Sequence, residues 1–157
     1  KRGTIHVPGS WGAANWHSAA FDPGTGIFYV VSHTLPGVAG VAARADDVDG
    51  TMEYVRVAPS PIFGPHDLPL TKPPYGRITA IDLKTGEHTW MVANGDGPRN
   101  HPMLRDLNLP RLGYSSRPVP LVTASLLFLG EGSNVIGGTS GEYQWGTKFR
   151  AYQKSTG

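Results

Sequence analysis

Apolar positions in this chain come in short runs of alternating or continuous β-type residues, separated by stretches rich in Gly, Pro and Asp. The runs predict strands at 4–7 (TIHV), 18–22, 27–32 (IFYVVS), 52–57 (MEYVRV), 77–83 (RITAIDL), 87–93, 119–123, 126–130 (LLFLG) and 147–153. Val, Ile, Thr and aromatic residues dominate them, as half-buried pleated strands require. No segment sustains an apolar period of 3.6. The most helix-like stretch is 101–109 (HPMLRDLNL), which predicts a helical turn or two.

Between the runs, a heptad recurs. It reads AFDPGTG at 20–26, AIDLKTG at 80–86 and AYQKSTG at 151–157. Each copy predicts a tight hairpin. Asp22 or Asp82 accepts from backbone N–H groups two residues on, the Thr hydroxyl supports the turn, and the final Gly takes a positive φ. In the middle copy the return strand brings Trp90 four residues past Gly86. A ring at that fixed place packs between neighbouring sheets and buries roughly 150–250 Å². The stretches 35–51, 58–76, 94–118 and 131–146 read as long loops, which repeat architectures tend to gather on one face.

The spacing suggests repeat units 1–50, 51–110 and 111–157 of one domain, each built from a few short strands. Such units are expected to be propeller blades, which close into rings of about 4–8. The expected fold is therefore all-β, a partial β-propeller of about two to three four-stranded blades. The last heptad stops inside a hairpin where the earlier copies continue into a strand, so a portion of a larger ring is expected.

Composition narrows the function classes. Gly (21) and Pro (14) make up more than a fifth of the 157 residues and supply the turns. The formal charge of +2 is small and its basic residues are scattered, which argues against a nucleic-acid partner. Without Cys there is no thiol nucleophile and no zinc–thiolate site. The six His (6, 17, 33, 66, 88, 101) lack metal-binding spacing, so no metal ligand is assigned. ADDVDG at 45–50 fails as a calcium loop, because Ala45 would stand at the first ligand and Arg56 at the bidentate one. GEGSNVIGG at 130–138 fails as a dinucleotide motif, with Val135 in place of the third glycine. No nucleophile elbow exists, and no catalytic residue is assigned.

Four stretches, in order, carry a resemblance: GAANWHSAAFDPGTGIFYVVS, PPYGRITAIDLKTGEHTWMVANGDGPRNHP, PLVTASLLFLGEG and KFRAYQKSTG. They closely resemble the later blades of pyrroloquinoline-quinone-dependent dehydrogenases, nearest the glucose-dehydrogenase-like branch. The resemblance covers nearly the whole chain, and its most specific piece is the stretch from Pro73 to Trp90. It implies a propeller of about eight blades with the quinone (PQQ) near its axis. It also implies a calcium ion (Ca2+) that polarises the quinone, and an acidic residue that takes the substrate's hydroxyl proton as hydride passes to the quinone. Such enzymes are periplasmic, some membrane-attached. They oxidise sugars or alcohols and feed a respiratory electron acceptor.

The resemblance makes Asn15 a quinone contact. Asn15 and Trp16 follow the small-residue loop PGSWGAA, where an amide can donate to an oxygen and an indole can wall off a planar ring. His17 departs from the residue the family pattern leads one to expect there. Trp90 reads as structural, and Trp11 and Trp145 as either blade caps or sugar-facing rings. The calcium ligands and catalytic acid are expected in earlier blades, so the piece alone is expected to be inactive and to self-associate through exposed blade faces. The alternative is a non-enzymatic propeller scaffold for protein binding, which has no need of the Asn–Trp loop.

Overall fold

A computed structural model describes residues 3–14, 19–46, 49–132 and 146–157. Among the described residues ten strands form three antiparallel sheets, and helical structure is confined to short 3-10 turns. The strands are β1 (Thr4–His6), β2 (Ala20–Asp22), β3 (Ile27–His33), β4 (Gly37–Ala43), β5 (Tyr54–Pro61), β6 (Gly76–Asp82), β7 (His88–Ala93), β8 (Leu121–Val122), β9 (Leu126–Gly130) and β10 (Phe149–Gln153). The all-β expectation holds. The helical stretch expected at 101–109 is reduced to a 3-10 turn at Arg105–Leu107. The loop expected over 35–51 is corrected, because it contains β4. Gly, Ala and Val make up β4, a composition too small and too exposed to stand out as an apolar run.

The first sheet runs in the order β1-β4-β5, the second β2-β3-β6-β7 and the third β10-β9-β8. The second sheet draws one hairpin from before residue 50 and one from after it. Its partner strands in the middle, β3 and β6, pair over seven positions from Ile27↔Asp82 to His33↔Gly76. The chain between them leaves to add β4 and β5 to β1 in the first sheet and then returns.

All three heptads make the same turn. The N–H of Gly26 donates to the Asp22 carbonyl at 2.8 Å, that of Gly86 to Asp82 at 2.7 Å and that of Gly157 to Gln153 at 2.8 Å. The glycines have φ values of 79°, 76° and 88°, in the left-handed region that a Cβ disfavours. Asp22 accepts from the Gly24 N–H at 3.1 Å and from the Thr25 hydroxyl at 2.7 Å. Asp82 accepts from the Lys84 N–H at 2.8 Å. In the third copy, Gln153 stands in place of the aspartate, and its carbonyl accepts from the N–H groups of both Thr156 and Gly157, at 3.2 and 2.8 Å.

The second and third sheets face each other across the core. Ala20, Tyr29, Val31, Ile78 and Ala80 from one meet Leu127, Leu129 and Tyr152 from the other. Trp90 completes the joint as expected. It pairs across the strands with Ala80, which also pairs with Tyr29. The small residue between lets the two rings lean together, with centroids 5.7 Å apart and planes tilted by 40°. The Trp90 indole N–H donates to the Lys154 carbonyl at 2.8 Å, in the hairpin of the next sheet. Lys154 in turn forms an ion pair with Asp22 and donates to the carbonyls of Thr123 and Ala124 at 3.0 and 2.9 Å. The first and third turns are thus joined, with Asp22 and Trp90 of the second sheet both bound to Lys154 of the third.

Candidate functional site

The register separates the two ends of the facing sheets. The hairpins at 22–27, 82–88, 122–126 and 153–157 lie at one end. The long connections at 34–75, 94–120 and 131–148 leave from the other, together with the lead-in to β2. The loops therefore gather on one face, as the repeat pattern led us to expect. Two strands of the first sheet, β4 and β5, lie within the 34–75 connection.

Backbone hydrogen bonds hold the loop end together. The N–H of Tyr75 donates to Leu112 at 2.7 Å, that of Asn94 to Gly76 at 2.9 Å and that of Tyr114 to Asn94 at 2.9 Å. Residues 112–114 thus lie against the ends of β6 and β7. The approach is so close that a Cβ on Gly76 would stand 1.7 Å from the Tyr114 carbonyl oxygen. Buried Asn94 ties the two sheets together. Its Oδ1 accepts from the Tyr152 hydroxyl at 3.0 Å and its Nδ2 donates to the Gly130 carbonyl at 3.3 Å. Burial raises the Tyr152 hydroxyl's pKa, so it remains a donor.

Beside it lies a charged cluster. Glu131 is 2% exposed and forms an ion pair with Arg150, whose Nε donates to its Oε1 at 2.7 Å. The Lys148 N–H donates to the other carboxylate oxygen at 3.1 Å. Arg150 also reaches Asp96 at 3.2 Å, and Lys148 reaches it at 2.9 Å. The Lys148 hydrogen bond, followed by the nearby arginine charges, holds Asp96 below the usual carboxylate range. Every charge here has a partner, so the cluster fixes the 94–97 loop on the third sheet.

The lead-ins to β2 and β8, neighbouring strands of the two sheets, meet through Arg117. Its Nη2 donates to the Trp11 carbonyl at 2.7 Å, while its Nε–H is buried with no acceptor. The backbone on either side is fixed. Ser116 is 1% exposed and donates to the Glu131 carbonyl, and Pro118 is buried. The carbonyl of Ala13 accepts from the His33 N–H at 3.0 Å, which fixes the other lead-in to the end of β3.

Asn15 and Trp16, the residues singled out from sequence as cofactor-binding, lie outside the described residues, as do His17 and Trp145. The chain places Asn15 five residues before β2, in the lead-in that Ala13 anchors. Trp11 is half-buried in that lead-in. Of the rejected calcium-like stretch, Asp47 and Val48 lie outside the described residues, as do residues 133–138 of the dinucleotide-like one. Among the described residues no group of three or more His, Cys, Asp or Glu could hold a metal ion. Sequence reasoning missed Arg117. The repeat could have pointed to it, because it precedes β8 by four residues, much as Asn15 precedes β2.

A buried, unaccepted N–H on a cationic side chain fits an anionic, carboxylated ligand, and pyrroloquinoline quinone is one. Facing sheets with the repeated turns at one end and the loops at the other fit a segment of a β-propeller. The PQQ family model, described as the glucose/ethanol/alcohol dehydrogenase β-propeller domain, matches residues 1–157, and the chain belongs to that family. It is 27% identical to the quinoprotein glucose dehydrogenase of Escherichia coli over 182 aligned positions, covering 100% of this chain and 21% of that protein. The quinate/shikimate dehydrogenase (quinone) of Acinetobacter baylyi is 29% identical over 118 residues, 64% of this chain and 15% of that protein. A 38-residue stretch is 52% identical to the quinohemoprotein alcohol dehydrogenase ADH IIB of Pseudomonas putida, covering 24% of this chain and 6% of that protein. The chain thus spans about a fifth or less of the length of the relatives it matches.

Proposed function

We propose that these residues form part of the cofactor wall of a PQQ-dependent dehydrogenase that oxidises a sugar or alcohol hydroxyl by hydride transfer to the quinone. The observation that carries this reading is the whole-chain family match, seated on a fold whose loops gather at one end of the sheets. When bound, the quinone supplies the two-electron acceptor. The residues of this chain orient and enclose it: Asn15 donates from its amide, Trp16 walls one side, and Arg117 meets negative charge. The substrate class is drawn from relatives named for a sugar, an alcohol and a hydroxy acid.

In this reading the acid that takes the hydroxyl proton and the calcium ligands come from other parts of the protein, so the 157 residues alone do not turn over substrate. Glucose oxidation by the isolated chain with quinone and calcium would overturn that. Family resemblance also supports a periplasmic location and a respiratory acceptor. Among the described residues no helix is long and apolar enough to cross a membrane.

The direct test is titration of the intact protein with the quinone, followed by the same titration on Asn15→Ala. Uptake by the wild type, weakened about tenfold or more in the variant, is the expected result, in line with loss of a hydrogen bond to a charged group. No uptake by the intact protein favours a scaffold that binds other proteins.

A further inference from the structure

The guanidinium of Arg117 is used only in part. It carries five N–H donors in a planar fork and no acceptor. Among the described residues one of these bonds to the Trp11 carbonyl, the Nε–H is buried without an acceptor, and no carboxylate pairs with the charge. Arg150, on the same end of the sheets, shows the contrast, since its charge is matched by Glu131 and Asp96.

A buried cationic donor left unmatched is costly to keep, unless a ligand supplies what the protein does not. An anionic partner matches the charge, and two acceptor oxygens in one plane suit the side of the fork that includes Nε, as in a carboxylate. The scaffold is built to hold that fork in place. A Cβ on Gly132 would stand 2.9 Å from the Ser116 Cβ and 3.3 Å from the Pro118 Cδ, so the chain on either side of Arg117 packs directly on the end of the third sheet. The Trp11 carbonyl then holds the head of the side chain against the lead-in of the second sheet.

We propose that Arg117 is a carboxylate-binding residue. It bridges the lead-ins of two adjacent sheets and presents its Nε–H and a neighbouring Nη–H to one carboxylate of a small molecule bound at the loop end. This rests on the proposed function. The carboxylate belongs either to the quinone or to a carboxylated substrate, and the two sources are separable.

The test uses the intact protein and its Arg117→Met and Arg117→Lys variants. Calorimetric titration of the apoprotein with pyrroloquinoline quinone reads the first source. Titration of the quinone-loaded protein with quinate, a hydroxy acid, and with glucose, which is neutral, reads the second. Arg117→Met is expected to weaken one carboxylated ligand at least tenfold and to leave glucose within twofold. Loss confined to the quinone assigns the carboxylate to the cofactor, and loss confined to quinate assigns it to the substrate. Arg117→Lys keeps the charge but not the fork, and is expected to recover the loss only in part. It also serves if the methionine variant fails to fold. Affinities for both carboxylated ligands within twofold of wild type, in whichever variants fold, overturn the inference while leaving the quinone reading intact. A wild-type protein that takes up no quinone overturns both.

Discussion

Asp22 shows how much one side chain of the repeat does. It closes its own turn through Gly24 and Thr25 and reaches Lys154 in the next sheet. The bond from Lys154, then that from Thr25, lowers its pKa to about 2. Because the folded value lies below the unfolded one, near 3.9, the linked stability is present above about pH 4 and lost as pH falls through about 2. The melting temperature of Asp22→Asn should therefore lie below wild type at neutral pH, and the gap should close between about pH 4 and pH 2. A gap of constant size across that range would show that the pair adds no pH-linked stability. Gly76 is the steric counterpart. A methyl group there meets the Tyr114 carbonyl, so Gly76→Ala must push the 112–116 segment away and should cost about 1–3 kcal/mol or more in denaturant unfolding. Asp22 and its turn were legible from the heptad alone. The Gly76 contact was not, because it depends on which distant backbone lies against β6.

At the scale of elements, the hairpins came through clearly and the joints between sheets only in outline. The D-x-x-T-G pattern states its own turn, since every bond that closes it is made within five residues. β4 was hidden because pairing with β1 and β5, rather than its own weak apolar pattern, makes it a strand. Trp90 was placed between sheets from its spacing after Gly86, but its acceptor, the Lys154 carbonyl, is 64 residues away in sequence. Its two roles can be separated. Trp90→Phe keeps ring packing on Tyr29 and loses one hydrogen bond, for about 1 kcal/mol. Trp90→Ala loses both, for about 3–5 kcal/mol. Equal losses from the two variants, measured by urea unfolding of the intact protein, would assign the whole effect to the hydrogen bond.

For the molecule as a whole, the facing sheets leave their outer sides apolar. Phe21 and Met91 are 48% and 50% exposed on the outside of the second sheet. Leu121 and Phe149 are 62% and 73% exposed on the outside of the third, where Phe149 stacks on Phe128 at 6.1 Å. Apolar sheet faces of this kind bury themselves against another sheet when one is within reach. We therefore expect the isolated 157-residue chain to self-associate as its concentration rises. A monodisperse monomer with one cooperative melting transition, in sedimentation and calorimetry, would contradict this.

Sequence by itself determined what is local: the turns, most of the strands, the docking ring and the likeness to quinoproteins. Each is encoded in residues that touch one another within a few positions, or in a spacing that repeats. Only the tertiary structure decided that the second sheet joins hairpins from either side of the β4–β5 insertion, that Arg150 and Lys148 hold Asp96 of the 94–97 loop, and that Arg117 stands between two lead-ins with a buried donor to spare. Those outcomes depend on contacts between residues tens to more than a hundred positions apart, which closure of the sheets creates and no local pattern records.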